Sequence, residues 1–205
     1  MDLELQTRIR AAAAVLRRGG LVAYPTETFY ALGALARDAK AVERVARAKG
    51  RPETKPLPLI AADRAGVEEV AVVLGPAARL AELFWPGPLT LVLPAREGLA
   101  PAITAGTGTV GIRIPGSDLA RALAREAGSA LVATSANLDG APPPAQAGAL
   151  APELRSRIDH VLDGGAAPGG LPSTVVAIEA GALRLVRPGA VPIEALERAL
   201  RPAER

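Results

Sequence analysis

The stretch from Leu3 to Tyr24, LELQTRIRAAAAVLRRGGLVAY, contains a helical pattern, a stop signal and a strand pattern in direct succession. Apolar residues recur through residues 3–18 at helical spacing, and Gly19-Gly20 supplies the glycine that commonly ends a helix. Leu21-Val22-Ala23-Tyr24 follows as a short apolar strand. Because a helix that feeds directly into a strand is typical of α/β folds, this stretch predicts that class.

The same mixture continues along the rest of the chain. Further helices are predicted from Asp38 to Lys49, in two pieces split at Gly75-Pro76, from Ser117 to Ala127, and from Pro192 to Leu200. Extended segments are predicted at 57–61, 89–93, 109–114, 130–134, 158–162, 173–178 and 183–187. Helices and strands do not alternate one for one, so the pattern predicts a mixed sheet in a single α/β domain over residues 1–205.

Composition excludes several classes of mechanism. The chain of 205 residues contains no cysteine and one histidine, His160, so disulfides, thiolate chemistry and the usual zinc sites are not expected. His160 lies in a predicted strand, where a structural histidine is the favoured interpretation. The first residues lack the layout of a secretory signal, and no apolar run reaches the ~20 residues of a membrane span. We therefore expect a cytoplasmic protein without a membrane segment.

Lysine is rare in this chain and clustered. Of 24 basic residues only Lys40, Lys49 and Lys55 are lysines, and two of these lie within one short segment. The net charge of +3 suits an anionic partner such as a nucleotide or RNA without requiring one. A compact ammonium group binds phosphate as a point charge, so the cluster favours a phosphate site, although chance or coding bias remains an alternative.

Two polar segments lie at predicted strand ends, where open sheets bind ligands. In residues 25–33, Thr26-Glu27-Thr28 offers two hydroxyls and a carboxylate that either orient a polar ligand or cap the next helix. In residues 49–57, Lys49, Arg51 and Lys55 lie beside Gly and Pro. Such convergent cations predict phosphate binding, although a helix C-terminus would also favour the first two.

Two further segments carry polar groups of the same kind. Ser135 and Asn137 offer a hydroxyl and an amide that suit a phosphate or a carboxylate, or belong to an ordinary turn. Arg187 ends the last predicted strand and either clamps a phosphate or lies on the surface. Arg113 stands among apolar residues inside a predicted strand, where a cation is costly unless paired. It predicts a bound carboxylate or a buried structural ion pair.

Six segments in order resemble the YrdC-like family, the threonylcarbamoyl-AMP synthases. They are Pro25–Tyr30 (PTETFY), Lys49-x-Arg51 with Lys55-Pro56-Leu57, Trp85–Thr90 (WPGPLT), Ser135-Ala136-Asn137, Ser173-Thr174-Val175 and Arg187-Pro188-Gly189. The resemblance implies a twisted mixed sheet with flanking helices, an open α/β fold with a large basic concave surface. It resembles the short, single-domain form of the family.

The resemblance also implies a reaction, catalysed by a nucleotidyltransferase. L-threonine and bicarbonate give N-carboxythreonine, which attacks the α-phosphorus of ATP and releases pyrophosphate. The product, L-threonylcarbamoyladenylate, serves t6A modification of tRNA through a downstream tRNA threonylcarbamoyl transferase. Mg²⁺ is expected with ATP, held by phosphate oxygens and water, with no metal ligand from the protein.

The family's functional residues carry over position by position. The resemblance implies a catalytic signature of Lys49, Arg51, Ser135 and Asn137. It implies ATP contacts from Arg51, Lys55, Thr109, Ser135, Pro143 and Arg187, and threonine contacts from Thr28, Arg113, Ala133 and Ser173. Two departures stand out. Ala31 replaces a frequent Gly and would be strained if the backbone needed positive φ, and Ile60 replaces a histidine that some members place near threonine.

Two other functions remain open on the sequence alone. A non-catalytic module could bind double-stranded RNA or tRNA through phosphates, but two Tyr, two Phe and one Trp leave little for base stacking. A related domain could pass a carbamoyl-adenylate to a different acceptor in metal-centre maturation. The absence of zinc-finger-like cysteines argues against that alternative.

Overall fold

The computed structural model describes residues 2–50 and 55–201. Its helices are α1 (Leu3–Arg17), α2 (Ala39–Lys49), α3 (Arg64–Glu68), α4 (Gly75–Phe84), α5 (Pro101–Thr104), α6 (Asp118–Ala127), α7 (Pro152–Arg155) and α8 (Ile193–Leu200). Its strands are β1 (Val22–Pro25), β2 (Tyr30–Gly33), β3 (Leu59–Ile60), β4 (Leu89–Pro94), β5 (Thr109–Arg113), β6 (Leu131–Val132), β7 (Thr134–Ser135), β8 (His160–Val161), β9 (Thr174–Glu179) and β10 (Ala182–Arg187).

Helix boundaries follow the capping residues that the sequence displays. The Asp38 carboxylate accepts a hydrogen bond from Ala41 N at 3.0 Å, and Gly50 ends α2 in the left-handed conformation with φ of 64°. Ser117 Oγ accepts from Ala120 N in the same way at the start of α6. A side-chain acceptor satisfies one amide that the first helical turn leaves open, and glycine tolerates positive φ. The predicted limits of α2 and α6 are confirmed.

The strands form two mixed sheets. One has four strands in the order β7-β2-β1-β8, and the other has six in the order β10-β9-β4-β5-β3-β6. The α/β class and the twisted mixed arrangement are confirmed, but the sequence predicted one sheet. Residues 130–134, predicted as one strand, divide into β6 and β7, which belong to different sheets. Ala133 lies at this switch, where its N donates to Pro58 O at 2.8 Å.

The hairpin of β1 and β2 differs from the sequence expectation. Thr26-Glu27-Thr28 was expected to follow β1 as a ligand loop or a helix cap, and no helix follows. Instead Tyr30–Gly33 returns antiparallel to β1, with Pro25 opposite Tyr30. Thr26 closes the turn because its N and Oγ1 both donate to Phe29 O, at 3.1 and 2.8 Å. The helix-cap alternative is therefore wrong.

Two clusters of buried side chains support the sheets. The smaller packs α1 and α6 over β1, with Ile9, Leu16, Tyr24, Ile60 and Leu123 among its members. The larger takes in α2, α4 and α8 together with the strands of the six-stranded sheet. Across the part of the chain that the structure describes, every helix is too short or too polar to cross a membrane.

Candidate active site

A cavity of about 550 Å³ opens between the two sheets. One wall is a face of the six-stranded sheet, built from every second residue of its strands: Thr90 and Val92 on β4, Thr109, Gly111 and Arg113 on β5, and Val175 on β9. Alternate residues of a strand point to the same face, so the two-residue period of the strands determines which side chains form this wall. The volume lies within the range of small-molecule sites.

Segments far apart in the chain meet at this cavity. Its lining includes ten of the residues that the sequence selected: Thr28, Lys55, Thr109, Arg113, Ala133, Ser135, Asn137, Pro143, Ser173 and Arg187. Lys49 does not line it, and Arg51 lies outside the described residues. Among the described lining residues, the charged side chains are Lys55, Arg113 and Arg187, all of them cations. The cavity therefore suits an anionic ligand.

Two buried hydroxyls form one corner of the cavity. The Thr26 hydroxyl gives its single proton to Phe29 O, so Thr28 is the donor in the 3.1 Å contact between their Oγ1 atoms. Thr28 Oγ1 consequently keeps lone pairs that can accept a hydrogen bond. An amine or ammonium group of a ligand would be the matching donor.

Arg113 is held by a carboxylate at the bottom of the same corner. Its Nε donates to Glu27 Oε1 at 2.9 Å, and the two side chains are only 6% and 15% exposed. The buried ion pair, one of the two alternatives for Arg113, is therefore present. Its two terminal nitrogens have no hydrogen bond among the described residues, and Arg113 lines the cavity. The guanidinium fork thus stays available for a ligand carboxylate.

Ser173 and Arg187 form the next group along the wall. Arg187 Nη2 donates to Ser173 O at 2.8 Å and to Ser173 Oγ at 3.1 Å. Ser173 Oγ also lies 3.0 Å from Thr90 Oγ1. This network fixes the end of β10 against the start of β9 and holds one cation at the rim of the cavity.

Lys49 lies behind the cavity wall. It is 2% exposed, and its Nζ donates to Ser135 O at 2.5 Å and to Asn137 O at 2.6 Å. Lys49 is therefore bonded to the Ser135 segment without lining the cavity, and its part in catalysis stays a prediction. Lys49 is the last residue of α2, so these bonds join the end of that helix to the Ser135 segment. Ser135 itself is exposed toward the cavity.

Lys55 is a partly exposed cation of the cavity lining. Its Nζ lies 3.4 Å from Asp139 Oδ2, and the side chains are 53% and 40% exposed. An exposed pair of this kind contributes about 0–1 kcal/mol, so a phosphate can displace the carboxylate at little cost.

The two departures from the family pattern have plain structural outcomes. Ala31 lies within β2 opposite Tyr24, and its φ is not positive, so the expected strain does not arise. Ile60 is fully buried between Arg113 and Leu131 in neighbouring strands and belongs to the smaller core cluster. It makes no part of the cavity lining.

Sequence reasoning missed several lining residues. Tyr30 is buried, its hydroxyl donates to Gly165 O at 2.7 Å, and this burial raises the pKa of Tyr30 to about 12. Thr90 lies inside the quoted WPGPLT motif but received no role. The partner of Arg113 was also missed, although Glu27 stood in the first polar segment. The two-residue period of β4 would have placed Thr90 beside Val92 on one face.

No group of three or more His, Cys, Asp and Glu side chains converges in residues 2–50 and 55–201. Among the described residues, two carboxylates next to cavity cations, Glu27 and Asp139, are paired with Arg113 and Lys55. Both carboxylates therefore already have a cationic partner.

Comparison with known proteins agrees with the motifs. A sequence profile of the Sua5/YciO/YrdC family, described as "Telomere recombination", matches residues 14–189. A threonylcarbamoyl-AMP synthase of Bacillus subtilis is 43% identical over 200 residues, which cover 95% of this chain and 57% of that protein. The chain thus spans little more than half the length of this relative.

Solved structures agree in fold. Sua5 of P. abyssi complexed with L-threonine has a TM-score of 0.90 at 41% identity, over 95% of this chain and 57% of that one. YciO of E. coli has a TM-score of 0.84 at 26% identity, over 93% of both chains. With six motifs in order, a shared fold and a profile match over most of its length, this chain belongs to the Sua5/YciO/YrdC family.

Proposed function

We propose that this chain is a threonylcarbamoyl-AMP synthase, which makes L-threonylcarbamoyladenylate and pyrophosphate from L-threonine, bicarbonate and ATP. The observation that carries the proposal is one cavity lined by ten of the residues that the sequence selected, six of which come from five of the six motif segments. Support also comes from the relatives, since the Bacillus subtilis protein bears this name and the P. abyssi structure contains L-threonine.

The threonine half of the cavity is the corner of Thr28, Arg113 and Ser173. Arg113 lines the cavity, and its terminal nitrogens can hold the amino-acid carboxylate as a bidentate pair. Thr28 Oγ1 can accept a hydrogen bond from the amine, because its own proton is donated to Thr26 Oγ1 and its lone pairs stay available. Held at both ends, the amino acid presents its nitrogen in one orientation, as reaction with bicarbonate requires.

The ATP half is the rim that carries Lys55, Ser135 and Arg187. Attack of the N-carboxythreonine carboxylate on the α-phosphorus forms a new P–O bond and breaks the bond to pyrophosphate, which leaves with the displaced negative charge. Lys55 and Arg187 stabilise that charge, and the Ser135 hydroxyl donates to a phosphate oxygen. Such transfers depend on positioning and charge stabilisation, so no covalent nucleophile is needed.

The remaining components belong to the same proposal. Mg²⁺ accompanies ATP through phosphate oxygens and water. Bicarbonate supplies the carboxyl group, and a tRNA threonylcarbamoyl transferase consumes the adenylate for t6A formation. The proposed location is the cytoplasm, where ATP, threonine and tRNA meet.

Product formation tests the proposal. The chain is incubated with ATP, Mg²⁺, L-threonine and bicarbonate, and pyrophosphate and L-threonylcarbamoyladenylate are quantified by chromatography and mass spectrometry. We expect both products in equal amounts and only when all substrates are present. Pyrophosphate release at the same rate without threonine would contradict the assignment.

A matched pair of arginine variants locates the reaction. Arg187→Met removes a cation of the cavity rim, and we expect kcat/KM for ATP to fall at least about tenfold, the equivalent of ~1.4 kcal/mol. Arg184→Met removes an exposed arginine of the same strand that pairs with Glu179 at 2.7 Å and does not line the cavity, so it should leave kcat/KM unchanged. Equal rates in the two variants would count against the cavity as the active site.

A further inference from the structure

The buried ammonium of Lys49 connects α2 to the segment from Ser135 to Ala141, called here the 135–141 loop. Three oxygens of this loop lie close to Nζ: Ser135 O at 2.5 Å, Asn137 O at 2.6 Å and Asn137 Oδ1 at 3.3 Å. The main chain makes a fourth link, because Asp139 N donates to Lys49 O at 3.0 Å. The end of α2 and the loop are therefore joined through both the side chain and the backbone of one residue.

Asn137 continues these contacts within the loop. While its Oδ1 accepts from Lys49, its Nδ2 donates to Leu138 O at 2.8 Å and to Ala141 O at 2.6 Å. The amide is therefore bonded at both ends to neighbouring groups and fixes the curvature of the loop. An amide used in this way has little capacity left for a ligand.

Ser135 differs from Lys49 and Asn137. Its side chain is exposed toward the cavity, and its Oγ has no hydrogen bond to any other residue in the described part of the chain. Its backbone oxygen, in contrast, accepts from both Lys49 Nζ and Asn137 N. The backbone oxygen of Ser135 is therefore fixed by Lys49 and Asn137, while its hydroxyl lies at the cavity.

We propose that Lys49 and Asn137 are positioning residues that hold the 135–141 loop and so aim the Ser135 hydroxyl at the nucleotide, while Lys49 itself does not contact phosphate. This inference rests on the proposed function for the identity of the nucleotide. It deepens that function because it divides the Lys-x-Arg and Ser-x-Asn signature into residues that touch substrate and residues that act through another.

The energetics of burial favour this division. An ammonium group removed from water is stable only when its donors are satisfied, and an ammonium has three donors for the three loop oxygens. To reach a phosphate, Lys49 would have to give up these contacts and leave the partly buried Asn137 O without this donor, which is costly. Lys55 differs in its surroundings, because its side chain is 53% exposed and its Nζ lies 3.4 Å from Asp139 Oδ2.

Nitrogen NMR of the lysine ammonium groups tests the proposal directly. The chain contains only three lysines, so a sample labelled with ¹⁵N-lysine gives three Nζ signals, which single Lys→Met variants assign. Buried, hydrogen-bonded ammonium protons exchange slowly with water. We expect a visible Lys49 signal without nucleotide and no shift of that signal on addition of ATP and Mg²⁺, with exposed Lys40 as the internal reference.

The outcomes separate this inference from the proposed function. Rapid proton exchange at Lys49 without nucleotide, or a Lys49 shift on ATP addition as large as that of Lys55, would overturn the positioning role. Lys55 reports on the proposed function instead, because we expect its signal to shift when ATP binds. A Lys55 signal that does not shift on ATP addition would count against that function, independently of the result for Lys49.

A double-mutant cycle gives the kinetic test. Lys49→Met and Ser135→Ala are each expected to lower kcat/KM for ATP at least about tenfold. If Lys49 acts through Ser135, the double variant should be little worse than the poorer single variant, because coupled residues are not additive. If the fold-losses of the two single variants multiply in the double variant, Lys49 makes an independent contact, and the proposal is overturned. Lys40→Met, on the exposed face of α2, serves as the control with unchanged kinetics.

Discussion

Arg113 and Glu27 come from different sheets, and their contact joins the sheets beside the cavity. Arg113 ends β5 of the six-stranded sheet, whereas Glu27 follows β1 of the four-stranded one. The sequence indicated that Arg113 was a buried charge because its neighbours are apolar. It could not name the partner, since Glu27 lies 86 residues away and only the fold brings the two together. Composition likewise singled out Lys49 but could not show that its Nζ bonds to the backbone oxygens of Ser135 and Asn137.

Removal of one partner of this pair should be costly. Arg113→Met leaves the Glu27 carboxylate buried without its cation, so we expect the free energy of unfolding to fall by about 3 kcal/mol. Urea denaturation followed by circular dichroism measures the change. The double variant Arg113→Met/Glu27→Gln should recover part of the loss, because no unpaired charge remains.

Arg184→Met provides the comparison at an exposed pair. Arg184 and Glu179 are 52% and 58% exposed, so we expect this variant to cost no more than about 1 kcal/mol. If Arg113→Met were no more destabilising than Arg184→Met, the buried pair would contribute no more to stability than the exposed one, which would contradict this prediction.

At the scale of elements, the turn after β10 explains the glycine of the Arg-Pro-Gly motif. A Cβ at Gly189 would lie 2.3 Å from Pro172 O and 2.4 Å from Thr174 N, both backbone atoms. Ala190 N also donates to Pro172 O at 2.9 Å, so the two chain segments run in contact. The close approach keeps Arg187 beside Ser173. The sequence identified the motif, but this steric reason depends on a contact between distant segments.

Gly189→Ala should therefore disturb stability and site together. We expect a loss of at least about 1–3 kcal/mol in the free energy of unfolding, as for other overpacked positions, and weaker ATP use because Arg187 moves with the turn. Gly148→Ala is the matched control, since a Cβ there meets nothing within 4 Å and φ is not positive. Thermal unfolding and ATP kinetics of both variants check this. Equal stability of the two would contradict the steric account.

Helices whose ends are marked by nearby capping residues were predicted correctly from the sequence. Strands that form only by pairing with distant segments were not. Caps and glycines marked α2 and α6 because the deciding hydrogen bonds join residues three apart. The strand β2 was missed because four residues after a polar turn show no clear period, and only pairing with β1 makes them a strand. The switch from β6 to β7 likewise depends on which sheet accepts each strand.

For the whole molecule, two sheets that face one hollow bring together motifs spread over residues 25–189. The sequence predicted which residues gather, because the motifs resemble a known family in composition and order. It did not predict the depth of each residue in the wall, which depends on how α2 and the 135–141 loop pack. One cavity, with a corner for the amino acid and a rim for the nucleotide, is therefore the basis of the proposed function.

A crystal structure with L-threonine and a non-hydrolysable ATP analogue bound together tests that claim most directly. We predict the threonine carboxylate within hydrogen-bond distance of the Arg113 terminal nitrogens, and the triphosphate beside Lys55, Ser135 and Arg187, with Lys49 still bonded to Ser135 O. Either ligand bound outside this cavity, or phosphates turned away from the three rim residues, would contradict the account.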